Sequence, residues 1–377
     1  MNLLSRTSND SNSGSVDRAL LFGIVILALF GVMMIFSATK VALTNAGIDP
    51  AYYLKRQTIW VCIGLAVMWI VSRVDYRRFE MIATPAYLSS IAGLIGVIFF
   101  GSSALGAQRW FNLGFFQVQP SEFMVLALIL TASAYSARRP QGLAQRDVIR
   151  ILFMAGLPMA IIAVQPDLGS AIIVAVTVGI MIVIAGVPPR FMALLGVAGA
   201  VGAVSAVAVG FLQKYQLSRL TAFLNQNSSD PALAAAIYHV DNAKNAIGAG
   251  GITGMGLFNG LQTNLGYVPE QRTDFIFTAV GEQLGLVGSL VFLGLLATVA
   301  YRIFVISKDA KEQFGRLLCV GIFVFFSFSC FQNIGMTMGI MPVTGIPLPL
   351  VSYGGTAALV FSGAIGMVLS VSRRRGN

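Results

Sequence analysis

The chain has 377 residues, 56% of them hydrophobic and 11% charged, with a net charge of +10. Soluble domains carry about 25% charged residues, so this balance excludes a soluble enzyme. The positive excess gathers on one side of the predicted spans, which makes it a topology signal and excludes nucleic acid as the partner.

Residues 1–17, rich in Ser, Asn and Asp, are predicted to be a disordered cytoplasmic tail. Residues 18–377 are predicted to be one polytopic membrane domain. Apolar windows recur at about 19–37, 57–72, 82–100, 119–136, 151–164, 169–187, 191–212, 274–300, 317–339 and 352–371. Each approaches the roughly 20 residues that cross a ~30 Å hydrocarbon core. The first lacks a small-x-small cleavage site and reads as a retained signal anchor. The fold class is therefore an all-α integral membrane protein, a bundle of about ten transmembrane helices. Residues 213–273 form its one long loop, too ordered in composition to be a linker.

Counting Lys and Arg on alternate sides of these spans orients the bundle. Seventeen fall on the side of both termini, and eight, namely Lys40, Lys55, Arg56, Arg109, Lys214, Arg219, Lys244 and Arg272, on the other. The first side is cytoplasmic, so the long loop is extracytoplasmic.

The acids of the spans gather at the outer face. Glu122 stands near the start of span four, Asp167 between spans five and six, and Asp274 at the mouth of span eight. Glu282 lies eight residues beyond Asp274, about 12 Å deeper along a helix. Charge at these depths is costly and marks function, although helix capping and interhelical hydrogen bonding also account for Glu122 and Asp167, and an N-cap for Asp274. Lys55, Arg56, Arg109, Lys244 and Arg272 lie close to the same helix ends. A lipid-linked pyrophosphate requires such cations, while singly each also reads as an interfacial residue reaching toward headgroups.

The remaining signals are weaker. Cys62, Cys319 and Cys330 have no metal-like spacing and read as packing residues. His239 is the lone histidine, which excludes a His-based metal site. Gly248 to Gly251 and Gly254-Met255-Gly256 lack a dinucleotide or phosphate-loop spacing and suit close approach of backbone to substrate or lipid. Met341 to Thr356, broken by Pro and Gly, must pack in protein or line a wet cavity.

GAQRWFNLG (106–114), QPSE (119–122), QPDLG (165–169), YQLSRLTAFLN (215–225), AIGAGGITGMG (246–256), YVPEQRTDFIF…GEQLG (267–285) and TGIPLPLVSYGGT (344–356) occur in family order. With them the chain resembles the SEDS family (shape, elongation, division and sporulation proteins) over nearly its whole length. The resemblance implies a ten-helix peptidoglycan glycosyltransferase of the bacterial cytoplasmic membrane. It implies polymerisation of lipid II into β-1,4 glycan strands at the outer face, and a divalent cation (Mg or Mn). It also implies a class B penicillin-binding protein as partner, alongside other membrane proteins of the elongation complex. The family's essential acid falls on Asp274, as general base or metal ligand, its Arg-Trp pair on Arg109 and Trp110, and its further acids on Glu122, Asp167 and Glu282.

The PVTGIPLP form is closer to the elongation branch than to the division branch. Arg272 replaces a usual histidine, Val125 a usual lysine, Asp241-Asn242 a usual Gln-Ser, and Met255 a usual lysine. Burial of Asp274 would raise its pKa and Arg272 beside it would lower it. The rival readings are a lipid II flippase, which must open polar sites to both leaflets in turn, and a non-catalytic scaffold. The outer-half placement of the ionisable residues favours the enzyme.

Overall fold

A computed structural model of the chain describes residues 16–104, 107–114, 116–139, 141–187, 191, 193, 196, 199, 213–228 and 230–374. Its first three helices are α1 (Arg18–Asn45), α2 (Tyr52–Arg73) and α3 (Tyr76–Phe100). Next come α4 (Pro120–Ala137), α5 (Gln145–Val164) and α6 (Leu168–Ile184), then α7 (Lys214–Leu224), α8 (Ala234–Ala249) and α9 (Leu261–Asn264) within the long loop. The chain ends with α10 (Ile276–Asp309), α11 (Gln313–Thr337) and α12 (Gly355–Arg373).

Eight of the described helices are long and apolar enough to cross a membrane, and α6 is a shorter apolar helix of 17 residues. The chain is thus a multi-pass membrane protein. The expected span 191–212 lies almost wholly outside the described residues, as does the expected tail up to residue 15. Helices such as α1, α3 and α10 run past their apolar windows at either face, because a polar turn keeps its helical hydrogen bonds where side chains can reach water. Asp17, assigned to the tail, is instead part of the fold. Its carboxylate accepts the Leu20 N–H at 3.0 Å, which caps α1, and it pairs with Arg302 of α10.

Helices α4, α11 and α12 are buried over most of their length, with α12 packed along α2 and α11 between α10 and α4. The outer helices expose apolar stripes: Phe22, Ile26 and Leu29 on α1, and Leu286, Leu290 and Val291 on α10. This is the burial pattern of a bundle whose solvent is hydrocarbon. Cys319 and Cys330 are packing residues as expected, whereas Cys62 is exposed on α2. At the arginine-rich end, ion pairs tie neighbouring turns together, Arg77 to Glu312 at 2.6 Å and Arg138 to Glu80 at 3.1 Å.

Two features depart from a plain helical bundle. Between α3 and α4 the chain folds into a small antiparallel sheet of β1 (Ser102–Ala104), β2 (Ala107–Asn112) and β3 (Gln117–Val118). Trp110 pairs with Ser102 and Phe111 with Val118. The strands are too short to register against the long apolar windows on either side.

The second departure is a break in α10 at Gly285, whose φ of 64° and ψ of −164° are accessible essentially only to glycine. A break strips backbone groups of their helical partners, and the glycine-rich stretch 250–256 replaces them. Met255 and Gly256 donate their N–H groups to the carbonyls of Glu282 and Gln283, both at 3.0 Å. In return, Leu286 and Val287 donate to the carbonyls of Gly251 and Ile252 at 2.9 and 3.1 Å. The glycines expected to approach substrate or lipid approach another stretch of backbone instead. A Cβ on Gly285 would stand 2.3 Å from the Gly254 nitrogen.

Gly285→Ala should therefore lower the thermal midpoint of the purified protein markedly. The conformation alone costs about 1–3 kcal/mol before the clash is counted. Gly294→Ala on the same helix, where a Cβ meets nothing within 4 Å, should be neutral or slightly stabilising in the same melt.

Candidate active site

Asp274 is held by its backbone. The turn before α10 closes on the carbonyl of Glu270, which accepts the N–H groups of Thr273, Asp274 and Phe275 at 3.2, 3.0 and 3.3 Å. The Asp274 carbonyl accepts Asn333 Nδ2 of α11 at 2.8 Å, and the Thr273 carbonyl accepts Ser352 Oγ at 2.5 Å. Asn333 also donates to the Ile346 carbonyl at 2.8 Å, so the turn and the Pro/Gly-broken segment 341–354 share one anchor. Gly345, with φ of 76°, lies against the carboxylate, where a Cβ would stand 3.2 Å from Asp274 Oδ2. The residue flanking the first turn of α10 as its N-cap is Phe275, so the side chain of Asp274 is free of the capping role considered for it.

That side chain faces a cavity of about 680 Å³ at the end of the bundle that carries the long loop. Arg56, Arg109, Trp110, Glu122 and Arg272, all predicted site residues, line it with Asp274. So do Arg219, Tyr215, Tyr53, Trp60 and Glu270. Burial raises the Asp274 pKa from the ordinary 3.8 to about 6; Arg219 pulls it down, Glu270 pushes it up, and the Thr273 hydrogen bond and Arg109 pull it down further. The guanidinium expected to act on Asp274 was Arg272. That side chain instead stacks over the Tyr53 ring at 4.8 Å and stands 3.7 Å from Glu270. Arg219, brought in by α7, takes its place.

Arg109 has a double role. Its Nε donates to the Gln165 carbonyl at 3.1 Å and its Nη2 to Tyr215 Oη at 2.7 Å and to the Pro166 carbonyl. It thus locks the 165–167 turn to α7 while still lining the cavity. For Asp167 the structure realises the capping alternative. Its carboxylate accepts Ser170 N at 3.2 Å and Oγ at 2.8 Å, Gln119 Nε2 at 3.0 Å and Ser121 Oγ at 3.2 Å.

Besides Asp167, three further predicted site residues lie away from the cavity. Lys55 turns back to Asp49 at 2.6 Å and is largely exposed. Lys244 donates to Gln226 Oε1 at 2.5 Å, beside Gly339. Glu282 is fully buried, and its carboxylate accepts Gln262 N at 2.6 Å, Thr263 N at 3.0 Å and Thr263 Oγ1 at 2.6 Å. It fastens α9 to the broken helix, because the docked loop brings the 262–263 N–H groups against it. Arg219 and Tyr215 were missed as site residues. Their signal was the i, i+4 pair within YQLSRL, but only the folding of the long loop sets that pair opposite Asp274.

The fold and site define a polytopic membrane protein with a buried acid and several guanidiniums in one polar cavity. A family model described as cell cycle protein, covering FtsW, RodA and SpoVE, matches residues 18–377, and the chain belongs to that family. It is 35% identical over 366 residues to the probable peptidoglycan glycosyltransferase FtsW of Trichlorobacter lovleyi, covering 94% of this chain and 93% of that one. It is 34% identical over 364 residues to the peptidoglycan glycosyltransferase MrdB of Escherichia coli K12, covering 96% and 94%. Relatives of both names match almost equally, so they do not separate the branches.

Among solved structures, a chain of a peptidoglycan synthase complex that coordinates polymerization and crosslinking matches with a TM-score of 0.78 and 26% identity, covering 96% of this chain and 98% of that one. The rod shape determining protein RodA of Thermus thermophilus matches with 0.69 and 26%, at the same coverage.

The raised pKa has a stability consequence. The folded chain binds the Asp274 proton more tightly than the unfolded chain, so stability falls as pH rises from 3.8 to about 6. Asp274→Asn removes that loss. The variant should melt above the parent at neutral pH, with the difference shrinking toward pH 3.8, as a thermal-shift series across pH would read.

Proposed function

We propose that the cavity is the active site of a peptidoglycan glycosyltransferase that polymerises lipid II into β-1,4 glycan strands at the outer face of the bacterial cytoplasmic membrane. The observation that carries this reading is the pairing, in one cavity, of a buried acid whose pKa is raised to about 6 with several guanidiniums. Joining a sugar hydroxyl to an anomeric carbon that bears a pyrophosphate requires these two things. The hydroxyl needs a base, and a base near the working pH combines a large deprotonated fraction with useful proton affinity. The leaving pyrophosphate needs positive charge already in place.

Asp274 is the base for the GlcNAc 4-hydroxyl of the incoming lipid II. As that oxygen attacks the MurNAc C1 of the growing chain, the bond to undecaprenyl pyrophosphate breaks, and single displacement turns the α-linkage into β. Arg219, Arg56 and Arg272 receive the phosphates. Arg109, engaged by the 165–166 carbonyls, presents its remaining edge. Tyr53, Trp60 and Trp110 offer flat faces on which sugar rings can stack.

A divalent cation (Mg or Mn) fits this donor set only as a shared ligand. Among the described residues no three His, Cys, Asp or Glu side chains converge to hold a metal alone, whereas Mg typically takes one or two carboxylates plus substrate phosphates. Asp274 and Glu270 would hold it, and it would neutralise charge on the pyrophosphate. The PVTGIPLP segment supports a role in cell elongation, with a class B penicillin-binding protein as the crosslinking partner and other elongation-complex membrane proteins around it.

Purified protein given lipid II should form glycan chains resolvable on a gel. Asp274→Asn should reduce polymer by about 10²–10⁴-fold, the usual contribution of a general base, while the variant stays folded by its melt. The parent rate should rise as pH passes about 6. Arg219→Ala should cost rate as well, and Lys55→Ala should not. Lipid II scrambling in liposomes with no polymer would point to a flippase and overturn the assignment.

A further inference from the structure

Joined to the floor of the large cavity at Gln119, Glu122, Gly345 and Pro347 is a second, much smaller space of about 30 Å³. It has room for one water-sized species. Its polar wall is Gln119 and Glu122 at the start of α4, Asp167 and Ser170 at the start of α6, and Ser329 of α11. Val125, Phe325, Val360 and Phe361 close the rest.

Two oxygens in this wall are orphaned. Glu122 Oε2 and Ser329 Oγ are both sealed from solvent and have no hydrogen-bond partner, and Ser329 as a whole is 0% exposed. They come from different helices yet line the same space. Buried polar atoms are almost always satisfied, so two orphans around one small space indicate an occupant.

The charges identify its class. Asp167 has its four hydrogen bonds and Arg109 Nη1 at 3.9 Å. Among the described residues the charged group that acts on Glu122 is Asp167, of the same sign. One turn along α4, where a cation would reach Glu122, stands Val125, 2% exposed and lining the same space. With the proton gone from Glu122, a water would satisfy the orphan oxygens but leave the carboxylate without a counter-ion on this side. A small cation answers both. Mg is excluded by size, because it sheds its waters reluctantly and the space has no room for them.

We propose that Glu122, Asp167, Ser170 and Ser329 form a binding site for one monovalent cation of about the size of sodium, reached from the large cavity. The bound ion fastens α4, α6 and α11 to one another beneath the site, so it stabilises the fold whatever lipid the cavity binds.

Purified full-length protein in EDTA, which strips any divalent ion, should melt at a midpoint that climbs with NaCl when N-methylglucamine chloride keeps the ionic strength constant. The rise should follow single-site linkage. Glu122→Gln should abolish it. Val125→Lys, which supplies an internal ammonium one helical turn from Glu122, should also abolish it, with a sodium-free midpoint at or above that of the parent. Equilibrium binding of radioactive sodium, about one ion per chain in the parent and none in Glu122→Gln, reads the site without relying on a melt. A parent that binds no sodium, a response that persists in Glu122→Gln, or a midpoint that follows pH and ignores sodium would each overturn the site. The last result would mean that Glu122 carries its own proton.

Discussion

A backbone group taken out of a helix at membrane depth has no water to turn to, and the outer half of this protein is arranged around that constraint. The break at Gly285 leaves carbonyls and N–H groups on both sides of the kink, and the 250–256 stretch supplies the complementary ones in four hydrogen bonds. The splice fixes where the long loop meets the bundle. Gln283, just before the break, accepts Ser37 Oγ of α1 at 2.5 Å and Phe258 N of the loop at 3.0 Å. Glu282 holds α9 in the same place. With the loop so docked, α7 delivers Arg219 to the cavity.

The same constraint explains why the broken segment 341–354 carries no helix and yet is stable. Gln332 and Asn333 of α11 donate to Pro342 O, Thr344 Oγ1, Ile346 O and Asp274 O, and Tyr353 N donates to the Arg272 carbonyl at 2.8 Å. Two irregular stretches, 270–275 and 341–354, are joined through Asn333, Ser352 Oγ and Tyr353 N. Asp274 sits where they meet, with a glycine alongside, and so its carboxylate is held in a cavity that does not favour its charge. Burial raises its pKa, and Arg219 limits the rise. That balance leaves an acid able both to take a proton and to release it near neutrality.

Much of the architecture was legible in the chain. The apolar windows located nine described helices because roughly 20 consecutive apolar residues have few other uses. The acids at the ends of the spans pointed to the end of the bundle that holds the cavity. Asp274, Arg109, Trp110, Glu122, Arg56 and Arg272 do line one cavity. The misses share a cause. Glu282 read as a deep site acid because the helix carries it inward along the axis, but the docked loop packs against that turn and takes its carboxylate. Lys55 and Lys244 are near the right face, yet Asp49 and Gln226 capture them. The β-hairpins around Trp110 were hidden because two- to six-residue strands leave no periodicity that longer apolar neighbours do not swamp.

By itself, the sequence determined the solvent, the position of the described apolar helices and the family, since each depends on composition over a window or on motifs read in order. Only the tertiary structure decided which cation faces Asp274, which acids are caps and which remain unpartnered, and that a glycine-rich stretch serves a broken helix rather than a ligand. Those outcomes depend on contacts between residues far apart in the chain, where a rotation of one helix or a single kink changes the partner while leaving hydropathy and charge unaltered.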